Sequence, residues 1–219
     1  MEYIVKKAPV SFDFTREWNE VGYDYAETLV LTNFMGEKPA HFPKVQAKVL
    51  YDNANMYVFF KVEDQYVKAI YNNLHDPVCK DSCAEFFFTP GEDTSRGYFN
   101  IEINCGGTML MHYQTAKGEN TKKILEQHCK QIKIKSSMPR IVEPEITAPT
   151  AWTIQYSVPF EILKEYAKFS APAGGDKWRA NFYKCADKTS HPHWLTWSKV
   201  ELPKPDFHRP EFFGTLVFD

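Results

Sequence analysis

Cys83-Ala84-Glu85-Phe86-Phe87-Phe88 and, after the loop Pro90 to Gly97, Tyr98-Phe99-Asn100-Ile101-Glu102-Ile103-Asn104 read as two neighbouring β-strands. Side chains alternate across a strand, so Ala84, Phe86 and Phe88 share one face while Cys83, Glu85 and Phe87 share the other. In the second run Phe99, Ile101 and Ile103 take the core face, which leaves Tyr98, Asn100, Glu102 and Asn104 as a polar-capable stripe. Antiparallel pairing around the loop without a bulge sets Glu85 opposite Glu102 and Cys83 opposite Asn104. Two carboxylates across a strand pair repel, by roughly a few tenths of a kcal/mol or more. Four things can offset that cost: a bound cation, an Arg or Lys reaching in, a shared proton, or a ligand rich in hydroxyl donors. An antiparallel sheet commonly wets one face, so the stripe also reads as an ordinary solvated surface.

Outward from this pair, further runs rich in β-branched and aromatic residues recur at strand-like intervals: Val45 to Tyr51, Met56 to Glu63, Met109 to Tyr113, Ala151 to Val158, Trp178 to Cys185 and Gly214 to Phe218. Asp52-Asn53-Ala54-Asn55 supplies turn formers between the first two, so Val45 to Glu63 is a predicted β-hairpin. Only Pro159 to Phe169 has helical spacing, ended by Ser170-Ala171-Pro172-Ala173-Gly174-Gly175. Lys117 to Lys135 is the weakest-patterned stretch and reads as a long loop with an edge strand, and Pro139, Pro144 and Pro149 suit an extended edge-like path. The fold class these runs predict is all-β: an antiparallel β-sandwich of jelly-roll or immunoglobulin-like type, with one short helix near 160–169. With no repeat or low-complexity linker, residues 1–219 are expected to form a single domain.

Composition removes several classes of partner. Twenty-six Lys and Arg against 28 Asp and Glu give a net charge of −2, with a sequence pI near 6.4, so no broad field draws nucleic acid or an anionic membrane. No run approaches the ~18 apolar residues of a spanning helix, and MEYIVKKAPV lacks the apolar core of a signal peptide. Five cysteines, an odd number with no CxxC, suit reduced thiols in a cytoplasm; a removed leader would make the protein secreted instead.

Taken together, the hairpin Val49-Leu50-Tyr51-Asp52 to Met56 through Asp64, the block Asp76 to Phe88, the strand Tyr98 to Asn104, Val158-Pro159-Phe160, and the ending Trp194-Leu195-Thr196-Trp197-Ser198 to Phe207-His208-Arg209-Pro210-Glu211-Phe212-Phe213-Gly214 carry a resemblance. In order and spacing the chain resembles the family 9 carbohydrate-binding modules, β-sandwiches related to the sugar- and haem-binding DOMON domains. The resemblance implies non-catalytic binding of a mono- or oligosaccharide, at a glycan end in the characterised members, and a link to carbohydrate catabolism. There, two Trp rings sandwich the sugar and a Glu satisfies its hydroxyls, because a pyranose has an apolar face and a polar rim. That Glu falls on Glu85. The first Trp falls on Cys79, which cannot stack, and the second on Phe207; Glu102 stands where sugar binders can carry Arg.

The expected carbohydrate site therefore comprises Cys79, Asp81, Glu85, Glu102, Asn104, Trp194, Phe207, His208 and Arg209. Trp194 is there either to replace the missing ring, if its loop folds over the site, or as a partly buried core residue, and Arg209 to neutralise the carboxylates or merely to hold a loop. Trp197 matches a core-like Trp of the family. A glycoside hydrolase using Glu85 and Glu102, near the ~5 Å carboxyl separation of a retaining enzyme, is the alternative, and a structural or protein-interaction domain that has lost sugar binding is another. Characterised members can carry structural calcium, but Asp52, Asp64, Asp76, Asp81 and Asp93 show no spaced ligand signature and read as turn formers. His191 and His193 are at best a two-ligand fragment, and Met109, Met111 and His112 split across two faces in a way that suits core packing better than haem ligation.

Overall fold

A computed structural model describes residues 1–219. The Asp52 carboxylate accepts from the backbone N–H groups of Ala54 and Asn55 and from the Tyr57 hydroxyl, which fixes the turn between strands Lys44–Tyr51 and Asn55–Asp64. Their register runs from Lys44 opposite Glu63 to Tyr51 opposite Met56. Thr150–Pro159 pairs on the far side of Asn55–Asp64, and Lys133–Ser136 forms the edge beyond it. This is one sheet of a sandwich.

The second sheet is ordered Met109–Gln114, Tyr98–Asn104, Cys83–Thr89, Lys177–Cys185, Gly214–Phe218, all antiparallel between neighbours. The two sheets are joined by Glu2–Lys7, a strand whose alternation buries Tyr3 and Val5. Glu2 to Val5 pair parallel with Thr215 to Phe218, and Lys6 and Lys7 then pair parallel with Leu50 and Tyr51. The sandwich is thus antiparallel everywhere except at this crossing strand.

Period-two alternation fills the space between the sheets with the inward side chains of both, including Val58, Phe60, Phe86, Phe88, Phe99, Ile101, Ile154 and Phe182. Met109, Met111 and Trp197 join this core. The outer faces are also covered. Over the Glu85 side, Met35, Val78, Val200, Phe207 and Phe213 close on Phe87, Tyr98 and Tyr183, so the polar stripe Tyr98, Asn100, Glu102 and Asn104 is buried rather than solvated. The cover comes from chain segments remote in sequence, which the strand pattern does not reveal.

Two local readings are revised. The helix is Phe160–Lys164, five residues, because Tyr166 and Phe169 turn down onto the core, with Phe169 edge-on to Trp178 at 5.4 Å. The stretch Lys117 to Lys135 holds more than an edge strand: Lys122–Lys123 pairs with Tyr113 and His112, and Glu126–Cys129 forms a short helix that buries Cys129. Val142–Ile146 runs extended beside Val67–Ala69 with an irregular register, as Pro144 within it suggests. No helix is long and apolar enough to cross a membrane.

Candidate functional site

In strands Cys83–Thr89 and Tyr98–Asn104, Glu85 lies directly opposite Glu102 and Cys83 opposite Asn104. Tyr183 faces Glu85 from the other neighbour and Cys185 faces Cys83, so one row of side chains runs Tyr183, Glu85, Glu102 across three strands. Glu85 is 2% exposed and Glu102 5%. Both line a cavity of about 200 Å³ whose wall also includes Cys79, Asp187, Trp194, Phe207 and His208. A site smaller than the ~300 Å³ of the usual drug-sized pocket has room for a single sugar ring within its walls.

Each carboxylate is held at one oxygen. The Cys185 thiol donates to Glu85 Oε1 at 2.9 Å, and Asn100 Nδ2 donates to Glu102 Oε1 at 2.9 Å. Neither Oε2 receives an N–H or O–H from the protein. Burial, followed by the Glu102 charge, holds the Glu85 carboxyl well above the ordinary carboxylate range. Glu102 is pushed up to about 7, again chiefly by burial. The pair retains protons that exposed carboxyls would have lost.

Behind Glu102 the support is an amide ladder. Gln114 Nε2 donates to Asn100 Oδ1 at 3.0 Å and lies 3.1 Å from His208 Nδ1, which is also 3.0 Å from the Tyr98 hydroxyl. With Nδ1 accepting from Gln114, the ring proton belongs on Nε2. Burial lowers His208 to about 4, so the imidazole is neutral at pH 7.

Two rings stand at the wall. Trp194 begins a short strand opposite Cys185 and donates its indole Nε1–H to Asp187 Oδ1 at 2.7 Å, which fixes the ring beside the carboxyls. Phe207 stacks on Tyr183 at 4.2 Å with 12° between planes, and its carbonyl accepts from the Tyr183 hydroxyl. Lys117 also reaches the cavity, but its ammonium pairs with Asp206 at 3.0 Å.

A model of carbohydrate-binding family 9 matches residues 23–218. The chain belongs to carbohydrate-binding family 9. Its function class is therefore non-catalytic carbohydrate binding. A search of curated proteins finds no match to this family 9 chain. Among solved structures, a candidate carbohydrate-binding protein from Bacteroides uniformis ATCC 8492 is similar at 27% identity and TM-score 0.85, over 100% of this chain and 99% of that one. A family 9 module from Caldicellulosiruptor kristjanssonii in complex with glucose is similar at 9% identity and TM-score 0.62, over 100% of this chain and 96% of that one. The same organism's module in complex with cellotriose gives 10% identity and TM-score 0.58, over 100% and 93%. At such identity these two speak for the fold alone.

Within this family 9 chain, Cys79, Glu85, Glu102, Trp194, Phe207 and His208 meet at the cavity. Asp81 and Asn104 do not line it. Asp81 Oδ2 accepts from the backbone of Ile70 and Tyr71 and from Asn104 Nδ2, while Asn104 Oδ1 accepts from Thr108 N, so this pair ties loops together. Gly106 packs against the backbone of Pro139 and Arg140 instead of facing the cavity; a Cβ there would come 2.3 Å from the Arg140 carbonyl oxygen. Arg209 turns to Asp206 at 3.4 Å and Glu211 at 3.7 Å, and it leaves the carboxyl pair without an Arg. The Cys79 thiol, in the turn Val78–Lys80, is pushed far above its usual range by burial and then by Glu85 and Glu102, so it is no activated nucleophile.

Sequence reasoning passed over Cys185, Asp187, Lys117 and Asp206. Cys185 was legible, since alternation along Lys177–Cys185 puts it on the Tyr183 face; the other three sit on loops, where no period exists. Calcium does not fit the acidic loop residues: Asp52 and Asp93 are occupied by local N–H and O–H donors, Asp76 by Asn73, Asp81 as above, and Asp64 by Lys184 at 3.0 Å. Such carboxylates are turn and ion-pair formers, and no two of them share a cage.

Proposed function

We propose that this chain acts as one module that binds a single sugar residue of a mono- or oligosaccharide in the cavity between Glu85, Glu102, Trp194 and Phe207. The observation that carries the reading is the pair of buried, opposed carboxyls whose Oε2 atoms lack protein donors and line a cavity with two aromatic side chains. Sugar hydroxyls are the donors such oxygens lack, and a pyranose C–H face suits the indole. The Caldicellulosiruptor kristjanssonii modules that share this fold are in complex with glucose and with cellotriose, so a hexose is the ligand proposed first. With Cys79 at the first clamp position, Trp194 takes over the stacking. Five free thiols support a reducing compartment as its location.

The test is a thermal-shift and calorimetric panel of glucose, other hexoses and cello-oligosaccharides. Binding raises stability by about 2.7 kcal/mol at a hundredfold excess over Kd. Trp194→Ala is expected to weaken binding about tenfold, the loss of ~1.4 kcal/mol of stacking, with a small effect on folding because the ring is only half-buried. No response to any sugar, or an undiminished one in both Trp194→Ala and Glu85→Gln, would sink the proposal.

A further inference from the structure

Charge around the cavity is unbalanced in a way that hydroxyl groups do not correct. Four carboxyls line it, Glu85, Glu102, Asp187 and Asp206. Asp206 is neutralised by Lys117 at 3.0 Å and Arg209 at 3.4 Å. Glu85, Glu102 and Asp187 have no salt-bridge partner: the first takes a thiol, the second an amide N–H and the third an indole N–H. The one remaining titratable nitrogen at the wall, on His208, is already bonded to Tyr98 and Gln114. Two of these three acids are more than nine-tenths buried, and both present an oxygen without a protein N–H or O–H donor.

We infer that the preferred ligand carries a positive charge: a saccharide with a primary ammonium, of the 2-amino-2-deoxyhexose class, seated with its ammonium between Glu85 and Glu102. This rests on the sugar-binding reading above and narrows it. An ammonium brings three donors and a positive charge to two carboxyls that otherwise repel, in a pocket where low dielectric strengthens the attraction. The same field disfavours uronic acids and other anionic sugars. Trp194 and Phe207 supply the apolar contact for the ring, as for any pyranose. Burial raises the proton affinity of all three acids in the empty cavity, with a neighbouring carboxylate adding to it at Glu85 and Glu102, and an ammonium displaces that stored proton rather than adding to it.

The experiment titrates the full chain by calorimetry near pH 7 at matched chloride. It uses glucosamine, galactosamine and mannosamine, each against its neutral parent hexose, along with glucosamine β-1,4 oligomers against cello-oligosaccharides, glucuronate, and calcium chloride alone. The expected result is that in any pair that binds, the amine binds at least tenfold tighter than its parent, that glucuronate does not bind, and that Glu102→Gln costs the amine more affinity than it costs the parent hexose, so that the ratio falls. Equal affinities for amine and parent would overturn the inference and leave the sugar site standing. No binding by either kind would overturn both. A calcium response abolished by Glu102→Gln, with no preference for the amines, would assign the pair to a metal ion and overturn it as well.

Discussion

Glu102 shows how one residue couples the site to stability. Its carboxyl ionises at about 4.3 in an unfolded chain, yet burial and the approach of Asp187 hold it near 7 in the fold against the pull of the Asn100 amide. A raised acid favours the folded state fully below its unfolded value, and that advantage is lost as pH rises through the folded one. Folding stability should therefore fall by about 3 kcal/mol between pH ~4.5 and ~7 from this group. Glu102→Gln keeps the shape and an acceptor for Asn100 but not the charge. In urea titrations at pH 5 and pH 8, the variant is expected to gain on the wild type as pH rises; a constant difference would show that the pair ionises as freely as surface acids. The facing of Glu85 and Glu102 was legible because a short loop between two clean period-two strands leaves one simple register. Asp187 and its hold on Trp194 were not, since that contact joins loop ends with no sequence period.

At the scale of the strand, Lys177–Cys185 serves two environments by alternation. Tyr183 and Cys185 face the cavity row, and Lys184, between them, points the opposite way and is completely buried. Its ammonium lies 3.0 Å from Asp64 and 2.6 Å from His193 Nε2. Burial pushes the Asp64 carboxyl up, but Lys184 and His41 outweigh it and hold it far below its ordinary value. Burial and Lys184 likewise lower His193 to about 3. A depressed group stabilises the fold above its unfolded value and loses that as pH falls, so this cluster weakens from about pH 6.5 downward, the opposite slope to Glu102. Lys184→Met leaves Asp64 as an uncompensated buried charge and should cost about 3–5 kcal/mol, read from urea midpoints. Adding Asp64→Asn should recover part of it; strictly additive losses would mean that the two side chains do not interact. A lysine inside a strand of aromatic and β-branched residues marks such a pair in sequence, but its partner, far along the chain, does not show.

For the whole molecule, strands and hairpins were readable wherever one face is apolar, and the covers were not. The crossing strand Glu2–Lys7 joins the two sheets through parallel pairing with Leu50 and Tyr51 on one side and with Thr215 to Phe218, far along the chain, on the other. The segment around Val200, Phe207 and Phe213 folds over the polar stripe without a repeating pattern of its own. These long-range closures turn an outer sheet face into a cavity, and the site exists only because of them. The measurement closest to the central claim is a titration of 15N-labelled protein with glucose, glucosamine and cello-oligosaccharides, following the indole N–H signals of its five Trp residues. The Trp194 indole, held on Asp187 at the cavity wall, is expected to shift saturably while that of the buried core residue Trp152 stays in place. Saturable sugar binding that leaves the Trp194 signal unmoved and shifts a different indole would contradict it.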